Sequence, residues 1–248
     1  MKTLWDKKWE IFKKDNRSHS TPDKVTSAII EFIVRHLNGD IKRILETGCG
    51  TGRICFALAS IYPDSQVIGT DISQHSIDLC NKARTQNNAS NVTFEKMDIY
   101  DLKFPNDTFD LAISEGVLQH IPNDLQGLKE MVRVTKKNGI VFASVVNLMC
   151  IPHTIYKFIK GKRYEHYPEK SYTHKSIRKL FEDAGLKDIE IYGVYPGYGM
   201  QRIEGYLPII GPIITQLLYL TAFIMDKLTN NWFSNLFGIQ LVAKGVNR

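Results

Sequence analysis

The sequence has few cysteines, and none at a spacing that suits a metal or a redox pair. Cys49, Cys55, Cys80 and Cys150 are its four cysteines, with no C-x-x-C pair and no histidine at ligand spacing beside them. That argues against a structural zinc site or a reactive dithiol, and no metal is expected. Set among small and apolar neighbours, the thiols read as buried and free in a reducing cytoplasm. An apolar signal core is missing as well: the first residues, MKTLWDKKWEIFKKDNR, are charged and aromatic, which is no secretory leader. A cytoplasmic location is expected. Internal repeats and low-complexity tracts are absent, and no basic stripe interleaved with aromatics marks a nucleic-acid surface. The net charge of +6, from 32 basic and 26 acidic residues, is scattered; its local clusters are Lys136 with Lys137, and Lys157, Lys160, Lys162 and Arg163. Such a balance serves equally as a solubility margin or as an attraction to an anionic membrane surface. Charge is also missing from Gly205 to Met225, where YLPIIGPIITQLLYLTAFIM is nearly all apolar.

What is present alternates between short apolar runs and helical segments, the pattern of a parallel sheet covered on both faces. Strands are expected at 43–46, 66–71, 92–97, 109–114, 139–145, 188–194 and 238–244. Buried parallel strands read as continuously apolar, and the first, fourth and fifth do. Ser20-Thr21-Pro22-Asp23 reads as a helix start, running to about Leu37 before Asn38-Gly39. Further helices are expected at 53–62, 73–87, 124–135 and from Thr173 to Ala184. Residues 148–170, rich in aromatics and bases, read as mostly irregular.

The strongest local signal is Glu46-Thr47-Gly48-Cys49-Gly50-Thr51-Gly52 between a strand and a helix. Glycines there let the backbone take positive φ and approach a ligand at the helix N-terminus. A G-x-G-x-x-G spacing would suit a pyrophosphate, but here the spacing is G-x-G-x-G, with Glu46 two residues before the first glycine. A carboxylate in the turn repels a pyrophosphate and suits a ligand bearing cationic groups. Asp71, with Ile72 after it, ends the second strand about 20 residues on, the place for a carboxylate that accepts two ribose hydroxyls. Asp98 ends the third strand between Met97 and Ile99, which could flank an adenine ring. Glu115 follows the fourth strand. Any one of these acids could be a loop carboxylate or a helix cap. Four of them at the carboxyl ends of successive strands lie on the edge where open α/β sheets bind ligands.

ILETGCGTGRICFALA, VIGTDIS, FEKMDIYDL and FDLAISEGVLQHIPN resemble, in order and spacing, the successive motifs of class I S-adenosylmethionine-dependent methyltransferases of the small-molecule branch. The resemblance is close over residues 40–147, and SYTHKSIRKLFEDAGL is similar to that family's C-terminal half. It implies an α/β, Rossmann-like, seven-stranded and mostly parallel sheet with helices on both faces and an antiparallel last strand. It implies one domain: an N-terminal helical cap over residues 1–39, a cofactor-binding core at 40–147, and a C-terminal half at 148–248 carrying an apolar helical insertion at about 196–237. It further implies S-adenosylmethionine as cofactor, with Glu46, Gly48, Cys49, Gly50 and Gly52 at the methionine end, Asp71 on the ribose and Asp98 near the adenine. Segments like the one through Arg17 and Ser18 often cover the cofactor in that family, and Trp5, Trp9 and Phe12 fit one face of a helix there. The turn after the fourth strand reads Ser114-Glu115-Gly116-Val117 rather than the Asn/Asp-Pro-Pro-aromatic box of enzymes that methylate DNA bases. A small-molecule acceptor is expected, and not nucleic acid.

Methyl transfer to a hydroxyl needs the acceptor positioned and its proton removed. His120 is the candidate base, since imidazole suits proton transfer near neutral pH; a histidine at a helix start can equally be a structural hydrogen-bonding residue. Tyr164, His166 and Tyr167 are candidate acceptor contacts, while His174 follows a capping threonine. A helix spanning a membrane at 205–225 would rise about 30 Å and leave the last strand across the bilayer from its sheet, and unpaired backbone cannot cross hydrocarbon to bring it back. Two readings remain. The insertion is a lid over the acceptor, or it lies in a membrane interface with Trp232, Phe233 and Phe237 as anchors. Its apolar surface runs nearly all round, so both sides need a cover: protein on one, and lipid, a homodimer partner or an oily substrate on the other. The acceptor expected is accordingly lipophilic or membrane-associated, with the protein peripheral on the inner membrane face. A polar sugar or secondary metabolite is the alternative. A catalytically idle cofactor-binding or assembly subunit is another.

Overall fold

Residue 5 and residues 22–37, 39–164, 166, 168–194, 213, 216–217, 220–221, 224–225, 227–228 and 232–248 are described by the computed structural model. Seven strands make one sheet: β1 (Arg43–Thr47), β2 (Gln66–Asp71), β3 (Val92–Lys96), β4 (Phe109–Glu115), β5 (Thr135–Val146), β6 (Leu186–Val194) and β7 (Gln240–Asn247). Their order is β3-β2-β1-β4-β5-β7-β6. The first five run parallel, and β7 is antiparallel to both β5 and β6. The described helices are α1 (Lys24–Arg35), α2 (Arg53–Ile61), α3 (Gln74–Gln86), α4 (Asp124–Val134), α5 (Ile151–Lys160), α6 (His174–Asp183) and α7 (Trp232–Phe237).

Neighbouring strand residues point to opposite faces, so an apolar run feeds two cores at once. Ile44, Val67, Leu111 and Ile113 pack under Ile29 and Ile33 of α1, Ile54 and Leu58 of α2 and Ile77 of α3. Their neighbours Leu45, Ile68 and Ala112 pack on the other face against Leu128 and Met131 of α4 and Ile177 and Phe181 of α6. That two-sided burial is why β1, β2 and β4 carry almost no polar residue along their middles. The strand order reverses direction between β1 and β4, and the carboxyl ends of those two strands flank the crevice where such sheets hold ligands.

Several details differ from the sequence reading. α1 ends at Arg35, short of Leu37, and the carboxylate of Asp23 caps its start by accepting the Thr26 N–H at 2.8 Å. β5 starts at Thr135 instead of Gly139, and its register against β4 shifts between Phe109 and Leu111; Asn138 there takes a left-handed φ of 62°. Residues 148–170 are not mostly irregular. They hold α5, opened by Pro152 in its first turn, and a 3-10 turn at Gly161–Arg163. Most of the apolar insertion lies outside the described residues, but its return is fixed. The Asn147 side-chain amide donates to the carbonyls of Leu236 at 2.9 Å and Gly238 at 2.8 Å. α7 lies so close to β6 that a Cβ at Gly193 would stand 2.2 Å from the Ser234 carbonyl oxygen. Among the described residues, no helix is long and apolar enough to cross a membrane.

Candidate active site

A cavity of about 310 Å³ opens at the carboxyl edge of β1, β2 and β4, within the size range of ligand sites. Glu46, Gly48, Cys49, Gly50, Asp71, Ile72, Met97, Asp98, Ile99 and Glu115 all line it, together with His120, His166, Trp5 and Arg53. Gly52, read from the sequence as a cofactor contact, does not. It begins α2 in a left-handed conformation (φ 76°), and a Cβ there would stand 3.0 Å from the rings of Phe56 and Phe94. Tyr167 lies outside the described residues.

The glycine turn is held from below by Asp71, whose Oδ2 accepts the Gly50 N–H at 3.0 Å and whose Oδ1 accepts the Ser73 N–H at 2.9 Å. A carboxylate has about four acceptor positions, so holding the turn and taking hydroxyls of a bound ribose are compatible. Asp98 accepts the Tyr100 N–H at 3.0 Å, a local turn that fixes its carboxylate between Met97 and Ile99. Glu46, 2% exposed, accepts the N–H and the thiol of Cys55 at 3.0 and 2.8 Å. Burial pushes its carboxyl up to about 8, against the pull of the Cys55 hydrogen bonds and with help from the charge of Glu115. Burial likewise raises Glu115, which accepts the Thr26 hydroxyl at 3.1 Å and faces Arg53 at 3.9 Å. Arg53 also pairs with Asp23 at 2.5 Å.

A second cavity of about 250 Å³ shares Arg53, Glu115, His120, His166 and Gln240 with the first, and adds Gln119, His153, Tyr164 and Glu169. Its centre of charge is Glu169. Lys157 Nζ stands 2.8 Å away, the Tyr164 hydroxyl 3.2 Å from each carboxylate oxygen, His153 Nε2 3.6 Å and His120 Nε2 3.9 Å. Burial opposes the Glu169 charge, but hydrogen bonds from His153 and Lys157 and the charges of Lys157 and His120 outweigh it and hold the carboxyl at about 2. His120 sits on the border of the two cavities. Its Nδ1 lies 3.2 Å from the Pro168 carbonyl oxygen, which accepts from an Nδ1–H and leaves Nε2 with the lone pair in the neutral ring. Trp5 meets the same ring edge-on, with centroids 5.2 Å apart.

Sequence reasoning did not find Arg53, Gln119, His153, Lys157 or Glu169. Arg53 had a signal: a base at a helix N-terminus opposes the helix dipole and needs acids nearby to hold it. Glu169 had none, because its partners come from three separate segments.

An open α/β sheet with carboxylates at the ends of its first four strands defines a class of proteins that bind a nucleoside-bearing ligand at that edge. Comparison with known proteins narrows the class. A model described as "Methyltransferase domain" matches residues 39–185, more than half of the chain. An uncharacterized methyltransferase of Schizosaccharomyces pombe is 30% identical over 152 residues, covering 59% of this chain and 51% of its own length; the chain thus spans about half of that relative. A demethylmenaquinone methyltransferase of Geobacillus is 28% identical over 170 residues, 60% of this chain and 73% of that protein. In fold, the chain is similar to a solved S-adenosylmethionine-dependent methyltransferase of Thermotoga maritima, with a TM-score of 0.68 at 14% identity over 100% of this chain and 99% of that one. The chain belongs to the class I S-adenosylmethionine-dependent methyltransferase family.

The residues fit that family's cofactor. Glu46 and Glu115 are buried carboxyls that burial drives toward neutrality, and a cationic ligand is what would restore their charge. This has a measurable consequence. Below about pH 8 the empty site keeps the Glu46 proton, so a bound cation must displace it. S-adenosylmethionine is expected to bind with release of protons, and its affinity to fall as pH is lowered beneath about 8. In the empty protein the raised carboxyl favours folding fully below its ordinary 4.5, and that contribution is lost as pH rises through about 8. Glu46→Gln is expected to reduce both pH dependences. Calorimetry in buffers of different ionisation enthalpy counts the protons, and a wild-type count of zero would overturn the assignment.

Proposed function

We propose that the protein transfers a methyl group from S-adenosylmethionine to a small-molecule acceptor that is lipophilic or membrane-associated. The observation that carries the reading is the pair of adjoining cavities that share His120, Glu115 and Arg53. In this reading the first holds the cofactor through Glu46, Gly48, Cys49, Gly50, Asp71, Ile72, Met97, Asp98, Ile99 and Glu115. The second receives the reactive end of the acceptor. When bound, the cofactor supplies a methyl group on a positively charged sulfur. His120 removes the acceptor proton through Nε2, its ring oriented by the Pro168 carbonyl and flanked by Trp5, while Tyr164 and His166 line the path of the acceptor.

Two features support a lipophilic body for that acceptor. Ile213, Leu217, Leu220 and Leu228, in the insertion, are all exposed, which suits contact with lipid or an oily ligand more than an internal core. A relative is named for demethylmenaquinone. A polar acceptor has its own support in the second cavity, where Gln119 Oε1 and His153 Nδ1 belong to lining residues and are buried without a hydrogen-bond partner among the described residues. Such groups ask for a polar ligand. The two readings separate in one experiment. The protein is incubated with S-adenosylmethionine labelled on the methyl and a cell extract, and the products are partitioned between organic solvent and water. Label in the organic phase is expected; label confined to water would transfer the assignment to a polar metabolite.

A further inference from the structure

Helix α5 presents two unlike faces. Its inner face holds His153, which is buried, and Lys157, which reaches Glu169 on the wall of the second cavity. Its outer face is apolar and open. Ile151, Ile155, Phe158 and Ile159 are 55, 52, 88 and 61% exposed, and their spacing of i, i+4, i+7 and i+8 sets them in one stripe along the helix. Leu148 and Met149, just before the helix, are exposed as well. A run of large apolar side chains on one surface marks a contact site rather than ordinary surface scatter.

The charge beside the stripe indicates what it contacts. Lys160, Lys162 and Arg163 are all exposed at the end of the helix and in the turn after it, and no acidic residue occurs between Asn147 and Tyr164. Apolar anchors rimmed by bases are the composition of a helix that lies in the interface of an anionic bilayer. A contact with a second copy would set these bases against their own equivalents or demand an acidic patch opposite them.

We propose that α5 is a membrane-docking helix that inserts Phe158 and the isoleucine stripe into an anionic bilayer surface, with Lys160, Lys162 and Arg163 at the headgroups. With α5 seated there, the second cavity lies just behind the docking helix, so an acceptor dissolved in the bilayer would reach it without crossing bulk water. In naming the surface from which the acceptor is taken, this inference rests on the reading of a membrane-associated acceptor.

The test is co-sedimentation of the full chain with vesicles of phosphatidylcholine alone and of phosphatidylcholine mixed equally with phosphatidylglycerol. Binding to the mixed vesicles is expected, weakening as salt is raised. Phe158→Asp and the triple change Lys160→Glu, Lys162→Glu, Arg163→Glu are each expected to weaken it about tenfold or more. Both alter exposed side chains, so S-adenosylmethionine affinity should be unchanged, and that measurement confirms that the variants are folded. Failure of the wild type to bind mixed vesicles overturns the proposal, as does a Phe158→Asp protein that binds like the wild type. In the second case the contact belongs to another surface, such as residues 205–237, and a lipophilic acceptor stands. Vesicle binding through α5 with methyl label found only in water has the opposite meaning: the docking surface stands and the lipophilic acceptor falls. A dimer that Phe158→Asp dissociates, without vesicle binding, would give the face to a second copy and overturn the proposal.

Discussion

Asp71→Ala is expected to weaken S-adenosylmethionine binding by about tenfold to a hundredfold. Charge-assisted hydrogen bonds to a carboxylate are worth about 1.5–3 kcal/mol, and each 1.4 kcal/mol is about tenfold in affinity. Asp71 ends β2 at 7% exposure on the wall of the cavity. In the proposed reading it accepts ribose hydroxyls while holding the Gly50 and Ser73 amides. Alanine removes both functions, so weakened binding in that variant alone does not distinguish a lost ribose contact from a loosened turn. Asp71→Asn separates them: its side-chain oxygen can keep one of the two amide bonds, while the charge on the hydroxyls is lost. Thermal unfolding of the empty proteins should therefore rank Asn between wild type and alanine, with both variants well below wild type in cofactor affinity. Titration calorimetry reads the affinity directly. Wild-type affinity or unchanged turnover in the alanine variant would remove Asp71 from the site, while a wild type without turnover would revive the reading of an idle assembly subunit.

Much of this site was legible because its chemistry lies at strand ends in a fold whose strands announce themselves. Ile44-Leu45 and Leu111-Ala112-Ile113 must be apolar on both faces, so β1 and β4 were visible without knowledge of their partners. Once they were placed, Glu46, Asp71, Asp98 and Glu115 followed as acids on one edge. Gly52 shows the limit of the pattern. It belongs to the same run of glycines, but two phenylalanine rings and the start of α2, rather than a cavity, explain its lack of a side chain.

The second cavity was less legible, for a physical reason. Helix α5 turns its apolar stripe outward and its polar residues inward. Its apolar residues recur at helical spacing, but the face they would mark as buried is the exposed one, so nothing in the pattern points to the polar face that reaches the cavity. Glu169 depends on Lys157 and His153 of α5, Tyr164 of the following segment and His120 after β4. Nothing in the spacing of those residues brings them together; only the path of the chain after β5 does.

That cluster gives the other large effect. Under the proposed mechanism, His120→Ala is expected to lower turnover by about a hundredfold to ten-thousandfold, the range of general-base catalysis, with little change in cofactor affinity. A merely structural role predicts a different series. His120→Asn can still donate a side-chain N–H toward the Pro168 carbonyl, as Nδ1–H does at 3.2 Å, but it offers no basic nitrogen. If His120 only holds the loop, asparagine restores the rate; if it takes a proton, asparagine stays near alanine. Glu169 adds a second readout, because it stands 3.9 Å from Nε2 and the attraction that lowers its own carboxyl also favours the imidazolium. With S-adenosylmethionine saturating, so that the Glu46 proton does not enter, the base works only when deprotonated and kcat/KM for the acceptor should rise with pH along an acidic limb. Glu169→Gln removes the anion, lets the imidazole shed its proton more easily, and should move that limb to lower pH while lowering turnover less than His120→Ala does. A limb that stays in place in Glu169→Gln, or one that persists in His120→Asn, would assign the proton transfer to another group.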